Sequence, residues 1–405
     1  MVQDLPNCKA LKNLSEKINN VKQFSSEACI FKVSEELRKT NSQAYTPLTI
    51  SIGPYHYHHR KMERLKELYT QSLLKRAEGV GVEECWKKLK DLQGKAESYY
   101  GDLDEIKFVD DDEFISGMED NIVRDMLLLE NQLPFFVLQE LYDMIIRIPS
   151  KPEFSEMVKI AFRNKIPKMN INSQLKTKVN DPQGIKHLLQ EVHILCQPQN
   201  NGKILQQQQQ QESIRTASEL QEAGVDFKKV VKISIDDSSN ETISLFDIKF
   251  NNHGVLEIPS SALYDPTETF FRNLIAYEQH SPDVHPMYFT DYAKFMDDLI
   301  NTEKDVNLLR LKDVFVNGLG DDKEVTRLFN DLCKGITYSS NNDFYYKDVY
   351  KELNRHCEKP WNVLKARLRR DYFHTPWAGI STLAAILLLT LTIAQTVLSA
   401  LGLQK

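Results

Sequence analysis

The chain has 405 residues, of which 41% are hydrophobic and 27% charged, and its formal net charge is −6 at pH 7. This length and composition indicate a globular protein with a full core. The negative charge argues against a nucleic-acid-binding protein, because phosphate recognition needs a basic surface. The six cysteines lie far apart and form no C-x-x-C pair, which argues against a disulfide framework or a zinc knuckle and predicts reduced thiols.

The first residues predict an N-terminal helical extension. Leu11, Leu14, Ile18 and Val21 recur at spacings of three and four, which is typical of one apolar helix face. We expect this extension to cover residues 1–28, and we expect the first helical lobe to begin after it.

A turn-forming stretch at residues 41–57 comes next. Gly53 and Pro54 follow a β-branched segment, so the pattern predicts an extended piece and a turn that leads into a helix. The helix that follows is predicted from about residue 60, with Met62, Leu65, Leu68 and Tyr69 on one side. Residues 80–113 are predicted to be helical and polar, and they end in an acidic run at 110–113, which is typical of solvated surface.

Three histidines, His56, His58 and His59, lie beside Tyr55 in this turn and are candidate metal ligands. A metal site needs ligands on one side, and the adjacent His58 and His59 point in different directions in any regular backbone. The pattern therefore favours a structural turn whose Tyr and His side chains form hydrogen bonds at a helix start.

Residues 122–142 carry apolar side chains at helical spacing and predict a wide buried face. Pro134 lies inside this stretch, so either the helix kinks or a new helix starts there. In the second case Glu130, Asn131 and Gln132 supply side chains to the freed backbone groups.

The same stretch offers Asp125 and Glu130 as a candidate pair of carboxylates for acid–base chemistry. In the sequence no histidine, serine or phosphate loop accompanies them, which favours a structural use.

Residues 198–212 end in a run of glutamines and predict a disordered linker, because the segment is too polar to bury. This linker divides the soluble part into a first lobe at 29–197 and a second lobe at 213–371. Near the end of the first lobe, His187 and His193 lie six residues apart, which is not a same-face helical spacing and argues against a zinc site.

The second lobe begins with alternating, β-rich stretches at 230–235, 243–250 and 255–258, separated by turn formers. This pattern predicts a small antiparallel sheet, after which helical periodicity resumes. The fold class expected is mainly α, with a two-lobed helical soluble domain and a small β insertion.

Asn273, Glu278 and Gln279 are polar residues set among aromatic and aliphatic neighbours in one of the helices of this lobe. Hydrogen bonding within the core is favoured over catalysis, because buried polar groups in proteins are nearly always paired.

The tail, residues 372–405, predicts a transmembrane anchor. From Ala378 to Leu401 there is no charged side chain. These 24 residues would span about 36 Å as a helix, enough for a bilayer core of about 30 Å. The alternative is a buried helix of a large soluble core.

Basic residues before the span predict its orientation. Lys365, Arg367, Arg369 and Arg370 precede it, whereas only Lys405 follows. Positive charge concentrates on the cytoplasmic side, and the N-terminus has no apolar run that resembles a signal peptide. We therefore expect a single-pass, tail-anchored protein of the plasma membrane or endoplasmic reticulum, with its bulk in the cytosol.

Thr392, Gln395, Thr396 and Ser399 form a polar stripe on the predicted span. Such a stripe can form hydrogen bonds between helices and so predicts self-association. The alternative is that each polar residue is tolerated singly in lipid.

Several strings resemble the motifs of a plant family catalogued as domain of unknown function 247. They include S-I-G-P-Y-H at 51–56, D-M-L-L-L-E-N-Q-L-P-F-F-V-L at 125–138 and F-R-N-L-I-A-Y-E-Q at 271–279. The resemblance runs from about residue 29 to 399, and the residues that carry it include Gly53, Pro54, Tyr55, His56, Asp125, Glu130, Asn131, Gln132, Pro134, Asn273, Glu278 and Gln279. One departure is a shortened segment between the acidic run and the L-E-N-Q string.

The resemblance implies a single-pass plant membrane protein, and some grass members of the family are implicated in self-incompatibility, which points to recognition. No Walker loop, G-x-S-x-G, H-E-x-x-H or kinase string occurs, so no cofactor is predicted. We expect a membrane-tethered, non-catalytic interaction module with an unknown protein partner. The alternative is a hydrolase-like enzyme, which requires a pocket where His56 or His187 meets a carboxylate.

Overall fold

The computed structural model of the chain describes residues 26–56, 63–77, 79–101, 118–147, 150–162, 184–198, 213–230, 244–339, 343–362, 364 and 376–402. Most of the extension predicted at 1–28 lies outside these residues, and so do the acidic run, His58, His59 and all but the first residue of the predicted linker. The boundaries that the sequence places at the glutamine run therefore stay predictions.

The described residues are mainly α-helical, which confirms the predicted fold class. The helices are α1 (Glu35–Thr40), α2 (Glu63–Arg76), α3 (Val82–Glu97), α4 (Met118–Met126), α5 (Phe135–Ile145), α6 (Phe154–Phe162), α7 (Leu188–Cys196), α8 (Ala217–Glu222), α9 (Asp265–His280), α10 (Tyr288–Leu299), α11 (Glu303–Leu311), α12 (Asp322–Leu332), α13 (Lys347–Glu358) and α14 (Pro376–Gly402). Short 3₁₀ turns lie at Ser42–Tyr45, Pro54–His56 and Leu129–Asn131.

Two small sheets lie among the described residues. In the first, β1 (Asp226–Val230) pairs in parallel with β3 (Val255–Pro259), and β2 (Lys249–Phe250) pairs with β3 antiparallel. In the second, β4 (Ser261–Leu263) pairs in parallel with β5 (Phe315–Asn317).

The antiparallel sheet expected from the sequence is therefore correct only for the β2–β3 pair. These two strands are joined by a tight turn, in which Gly254 has a φ of +80° and its N–H donates to the carbonyl of Asn251. The strands of each parallel pair are separated by long connections, and local alternation cannot show that such distant strands meet. Most of the strand predicted at 230–235 lies outside the described residues.

The chain forms two compact units that are discontinuous in sequence. Unit 1 comprises Met1–Ser34, Tyr45–Val158 and Val179–Glu191, and unit 2 comprises Glu35–Ala44, Lys159–Lys178 and Val192–Lys405. The predicted lobes were each continuous. Periodicity identifies helices but not their partners, and side-chain contacts join the stretch Glu35–Ala44 to a distant helix within unit 2: the amide of Asn41 donates to Glu268 at 3.0 Å.

Aromatic packing dominates the core of unit 2. The ring of Phe246 lies 4.9 Å from that of Phe289, and Phe271 stacks on Tyr292 at 5.7 Å. These four side chains are buried. Each buried aromatic ring stabilises the fold by about 1.5–3 kcal/mol, so the cluster is a large part of the stability of this unit.

A buried carboxylate, Asp291, holds a loop against α10. One of its oxygens accepts from the Ser339 hydroxyl at 2.6 Å and the other accepts from the backbone N–H of Tyr345 at 2.8 Å. Burial raises the pKa of this carboxyl to about 7, although both hydrogen bonds act in the opposite direction.

This pKa predicts that Asp291 lowers stability as pH rises from its ordinary pKa of 3.8 to about 7. The folded state holds the proton more tightly than the unfolded state in that window, so unfolding becomes easier when the proton is lost. Asp291→Asn keeps one accepting oxygen for Tyr345 and an N–H for Ser339. We expect the variant to gain stability relative to the natural chain as pH is raised from about 5 to about 8, measured by urea unfolding.

Asp283→Asn is the matched control, since Asp283 is exposed. A stability difference that is the same at both pH values for Asp291→Asn would contradict this account of Asp291.

Candidate functional site

Asp125, at the end of α4, binds an extended backbone segment of unit 1. Its carboxylate accepts from the consecutive N–H groups of Leu48, Thr49 and Ile50, the shortest at 2.6 Å from Thr49. The guanidinium of Arg124 lies 2.7 Å from the same carboxylate. Asp125 is fully buried, so these donors replace the water that its charge would otherwise need.

Asn131 and Gln132 continue this pattern. The side-chain oxygen of Asn131 accepts from the N–H groups of Ile52 and Gly53, and its NH₂ donates to the carbonyls of Ile50 and Asp125. The NH₂ of Gln132 donates to the carbonyl of Met126, the last residue of α4, and to that of Leu128, which also accepts from the N–H of Asn131.

Of the two alternatives for Pro134, the second holds in the structure, because α4 ends at Met126 and α5 begins at Phe135. The chain between the helices is irregular, and the amide side chains of Asn131 and Gln132 bind the backbone groups that no helix pairs. Phe135 N–H donates to the carbonyl of Lys186 at 2.8 Å, so this helix start is also held from a distant segment of unit 1.

Glu130 meets His56 inside unit 1. Its Oε2 lies 2.9 Å from Nε2 of His56, and its Oε1 accepts from the backbone N–H of Val33 at 2.7 Å. Both side chains are buried. The backbone carbonyl of His56 also accepts from the hydroxyl of Ser51, so the histidine is part of a structural turn.

Gly53 and Tyr55 complete the motif residues of this turn. A Cβ on Gly53 would lie 3.0 Å from the backbone of Asn131, so any larger residue would push these two backbone segments apart by a few tenths of an ångström. The Tyr55 hydroxyl donates to the carbonyl of Ile30 at 3.1 Å.

In unit 2, Glu278 has the same role as Asp125 has in unit 1. Its carboxylate accepts from the N–H groups of Phe289 and Thr290 and from the Thr290 hydroxyl, and it thereby binds the first turn of α10. Nε2 of His193 lies 2.8 Å from Oε1 of Glu278, and the amide nitrogen of Gln197 lies 3.3 Å from Nδ1. Since that amide nitrogen can only donate, His193 carries its proton on Nε2 and donates it to Glu278.

Asn273 and Gln279 also bind backbone in unit 2. The NH₂ of Asn273 donates to the carbonyls of Ala44 and Thr269. The side-chain amide of Gln279 donates to the carbonyl of Thr337 at 2.9 Å and accepts from the N–H of Thr337 at 2.8 Å.

The hydrolase alternative requires a pocket in which a histidine meets a carboxylate, and only the second of these two requirements is fulfilled. His56 does meet a carboxylate, but neither His56 nor Glu130 lines the groove described below. His187 is buried, and its Nδ1 accepts from the backbone N–H of Gln190. Among the described residues, no group of three or more His, Cys, Asp or Glu side chains is placed to hold a metal ion.

The predicted span lies in α14, which contains Ala378 and Leu401. Within the described residues, one helix is long and apolar enough to cross a membrane, over Ile380–Ser399, and none of that stretch is buried in the protein. In the predicted polar stripe, the hydroxyls of Thr392 and Thr396 donate to carbonyls of their own helix.

An apolar groove of about 770 Å³ lies on unit 1, where motif residues reach the surface. One wall is α3, and the other side consists of the turn after the extended segment and the start of α5. The lining residues are Ile52, Gly53, Pro54, Trp86, Leu89, Lys90, Leu92, Gln93, Ala96, Glu97, Tyr100, Leu133, Pro134 and Val137.

Aromatic and aliphatic side chains make this groove suitable for binding a hydrophobic surface. The Trp86 side chain is 62% exposed, with the Lys90 ammonium 5.4 Å from its ring centroid. The Tyr100 hydroxyl donates to the carbonyl of Gln132, which joins the wall to the buried motif. The charged lining residues are one lysine and one glutamate, so the groove carries no strong net charge.

From the sequence, the motif residues on one side of the groove and a polar helical stretch at 80–113 were predicted, but not that α3 is a wall of the groove. Val82, Cys85, Trp86, Leu89 and Leu92 recur at spacings of three and four, so the sequence of α3 has an apolar stripe. This stripe was the available signal, since no residue of α3 is buried and Trp86 is largely exposed.

The contact at Gly53 predicts that Gly53→Ala destabilises the protein by about 1–3 kcal/mol, because the added methyl group forces two backbone segments apart. Gly94→Ala is the control: Gly94 lies within α3, and a Cβ there meets nothing within 4 Å. We expect it to stabilise by about 0.5–1 kcal/mol. Urea unfolding of both variants checks the difference, and equal effects would contradict the close approach.

Comparison with known proteins agrees with the motifs. The plant protein family of unknown function DUF247 matches residues 30–119 and 110–391. The two parts of this match overlap at residues 110–119, which contain the acidic run and the beginning of the segment that the sequence predicts to be shortened.

Two Arabidopsis thaliana proteins are similar to the chain. The UPF0481 protein At3g47200 is 28% identical over 426 aligned positions, which cover 92% of this chain and 86% of that protein. The putative UPF0481 protein At3g02645 is 32% identical over 183 positions, or 45% of this chain and 32% of that protein. No solved structure matches the chain. The chain belongs to the DUF247 family of plant proteins of unknown function.

Proposed function

We propose that this protein is a membrane-anchored interaction module, with α14 inserted in a bilayer and the two units on its cytosolic side. It is a non-catalytic protein in this proposal, and its partner is another protein that binds a surface of the units.

The exposed apolar surface of α14 is the observation that best supports its insertion in a bilayer. Its large apolar side chains are exposed, and they are Trp377, Ile380, Leu383, Ile386, Leu387, Leu388, Leu389, Leu391, Ile393, Val397 and Leu398. Removing side chains of this kind from water is worth about 1.5–3 kcal/mol each, so leaving them all hydrated costs on the order of 15–30 kcal/mol. The 27 residues of the helix span about 40 Å, more than the hydrocarbon core of a bilayer.

Charge on the two sides of the helix supports the orientation. Four basic residues within Lys365–Arg370 precede α14, and Lys405 lies after it. This asymmetry is the one that keeps the preceding part of a chain in the cytosol.

The use of the motif residues supports a module over an enzyme. Asp125, Glu130 and Glu278 are the buried carboxylates of the motifs, and backbone N–H groups bind all three. The groove on unit 1 exposes mainly apolar side chains, which suit a protein partner.

The anchor predicts that Leu387→Arg with Leu391→Arg releases the protein from membranes. On an insertion scale each arginine at the centre of a span costs about 2.5–3.5 kcal/mol, whereas each Leu, Ile or Val contributes only about 0.3–0.6 kcal/mol, so two arginines offset most of the insertion free energy on that scale. We expect the natural chain to stay in the membrane pellet after alkaline carbonate extraction and the variant to appear in the supernatant.

Leu311→Arg with Val316→Arg is the matched control, because these residues are 70% and 57% exposed and lie outside the tail. This control should stay in the pellet. Release of the natural chain by carbonate would disprove the anchor, and protection of the two units from protease in sealed vesicles would disprove the cytosolic side.

The polar stripe of α14 makes a further prediction. The hydroxyls of Thr392 and Thr396 are already bound within the helix, which leaves the Gln395 amide as the strongest group for a bond between helices. If α14 self-associates, Gln395→Leu should reduce the oligomer size in detergent, measured by light scattering, whereas Thr396→Val should have little effect. An unchanged size for Gln395→Leu would mean that the stripe does not mediate association.

A further inference from the structure

We propose that a second copy of this chain binds along α3, with the two α3 helices antiparallel and a twofold axis at Trp86. The contact surface is the outer face of α3, which consists of Val82, Glu83, Trp86, Leu89 and Lys90. The proposal does not use α14, so this contact can fail while the membrane anchor stands, and the anchor can fail while this contact stands.

The outer face of α3 exposes large apolar side chains. Val82 is 65% exposed and Trp86 is 62% exposed, and the neighbouring Leu89 is only partly buried. Tryptophan is enriched in protein interfaces, because its large apolar area is buried there at a small cost in side-chain entropy. These residues therefore offer a second helix an apolar centre on which to pack.

The opposite face of α3 is already in contact with the rest of unit 1. Glu84 pairs with Arg147 at 3.0 Å, and Lys88 pairs with Glu140 at 2.8 Å. Residues four apart lie on one face of a helix, so the two ion pairs hold this face against unit 1. The outer face, which carries Trp86, points away from these contacts.

One register brings together both the apolar and the charged residues of two outer faces. At 3.6 residues per turn, Val82 and Leu89 lie on one side of Trp86, and Glu83 and Lys90 lie on the other. Val82 and Glu83 lie about one turn before Trp86, whereas Leu89 and Lys90 lie about one turn after it.

An antiparallel pair about Trp86 exchanges the turn before this residue for the turn after it, while each residue keeps its side of the helix. Val82 of one copy then lies opposite Leu89 of the other. Glu83 of one copy lies opposite Lys90 of the other, and the two Trp86 rings meet at the axis. Every contact occurs twice because the interface is isologous.

A parallel pair does not match in this way. Its twofold axis runs along the helices, so each residue stays at the same height and changes sides. Glu83 would then lie against Val82, and Lys90 would lie against Leu89. A charged group that loses water to an apolar neighbour is destabilising. The order of charges along α3 therefore favours the antiparallel pair.

Lys90 is already held over the outer face. Its ammonium lies 5.4 Å from the ring centroid of Trp86, which is within the range of a cation–π contact. In the antiparallel pair the same ammonium faces the Glu83 carboxylate of the second copy. Little side-chain entropy is then lost when this ion pair forms, because the lysine is already positioned.

Reciprocal charge reversal in the full-length chain tests the contact. Glu83→Lys places two positive groups opposite each other at both contacts, and Lys90→Glu places two negative groups there. Two differently tagged copies are co-expressed, solubilised in detergent and captured through one tag. We expect about tenfold less capture of the other tag when both copies carry the same single variant, because two attractions become two repulsions.

The mixture of the two variants distinguishes a contact from general damage. A Glu83→Lys copy with a Lys90→Glu copy has opposite charges at both contacts, so we expect this mixed pair to be captured as well as the natural pair. The double variant, Glu83→Lys with Lys90→Glu in one chain, should likewise associate with itself. All pairs carry the same α14, so any association through the tail contributes equally to each.

Glu303→Lys and Lys323→Glu are the matched controls, since they make the same charge changes at exposed residues outside α3. Each should associate with itself as the natural chain does. Three results would overturn the proposal: no capture between natural copies, equal capture of all pairs, or a mixed pair that is captured as poorly as the single variants.

Discussion

Buried carboxylate and amide side chains that bind backbone groups of distant segments are the interaction on which both units depend. Asp125 binds three consecutive N–H groups, and Glu278 binds the first turn of α10. A segment that is neither helix nor strand cannot satisfy its own backbone, and burying it unpaired would cost about 1–3 kcal/mol for each group. These side chains therefore allow irregular chain to lie inside the protein, which explains why the motifs are rich in Asp, Glu, Asn and Gln.

This structural role changes the meaning of the motifs. Charged and polar residues in a shared motif often indicate catalysis. Here the pairs His56–Glu130 and His193–Glu278 are enclosed, and the surface that adjoins the motif in unit 1 is an apolar groove. The motif thus forms one side of this groove: Gly53 permits the close approach to Asn131, and Leu133 and Pro134 are among the lining residues.

The sequence by itself determined the mainly helical class, the apolar helix at the C-terminus and the family, and it left two alternatives open at Pro134. Each of these is a local property, since periodicity, hydropathy and a proline within a helical pattern are read over a few turns. Only the tertiary structure decided the parallel pairing of β1 with β3, the interleaved units, the partner of each buried carboxylate and the groove beside α3. These features join residues that are far apart in the chain, and the pairing of distant segments depends on how their shapes and unsatisfied polar groups match after folding.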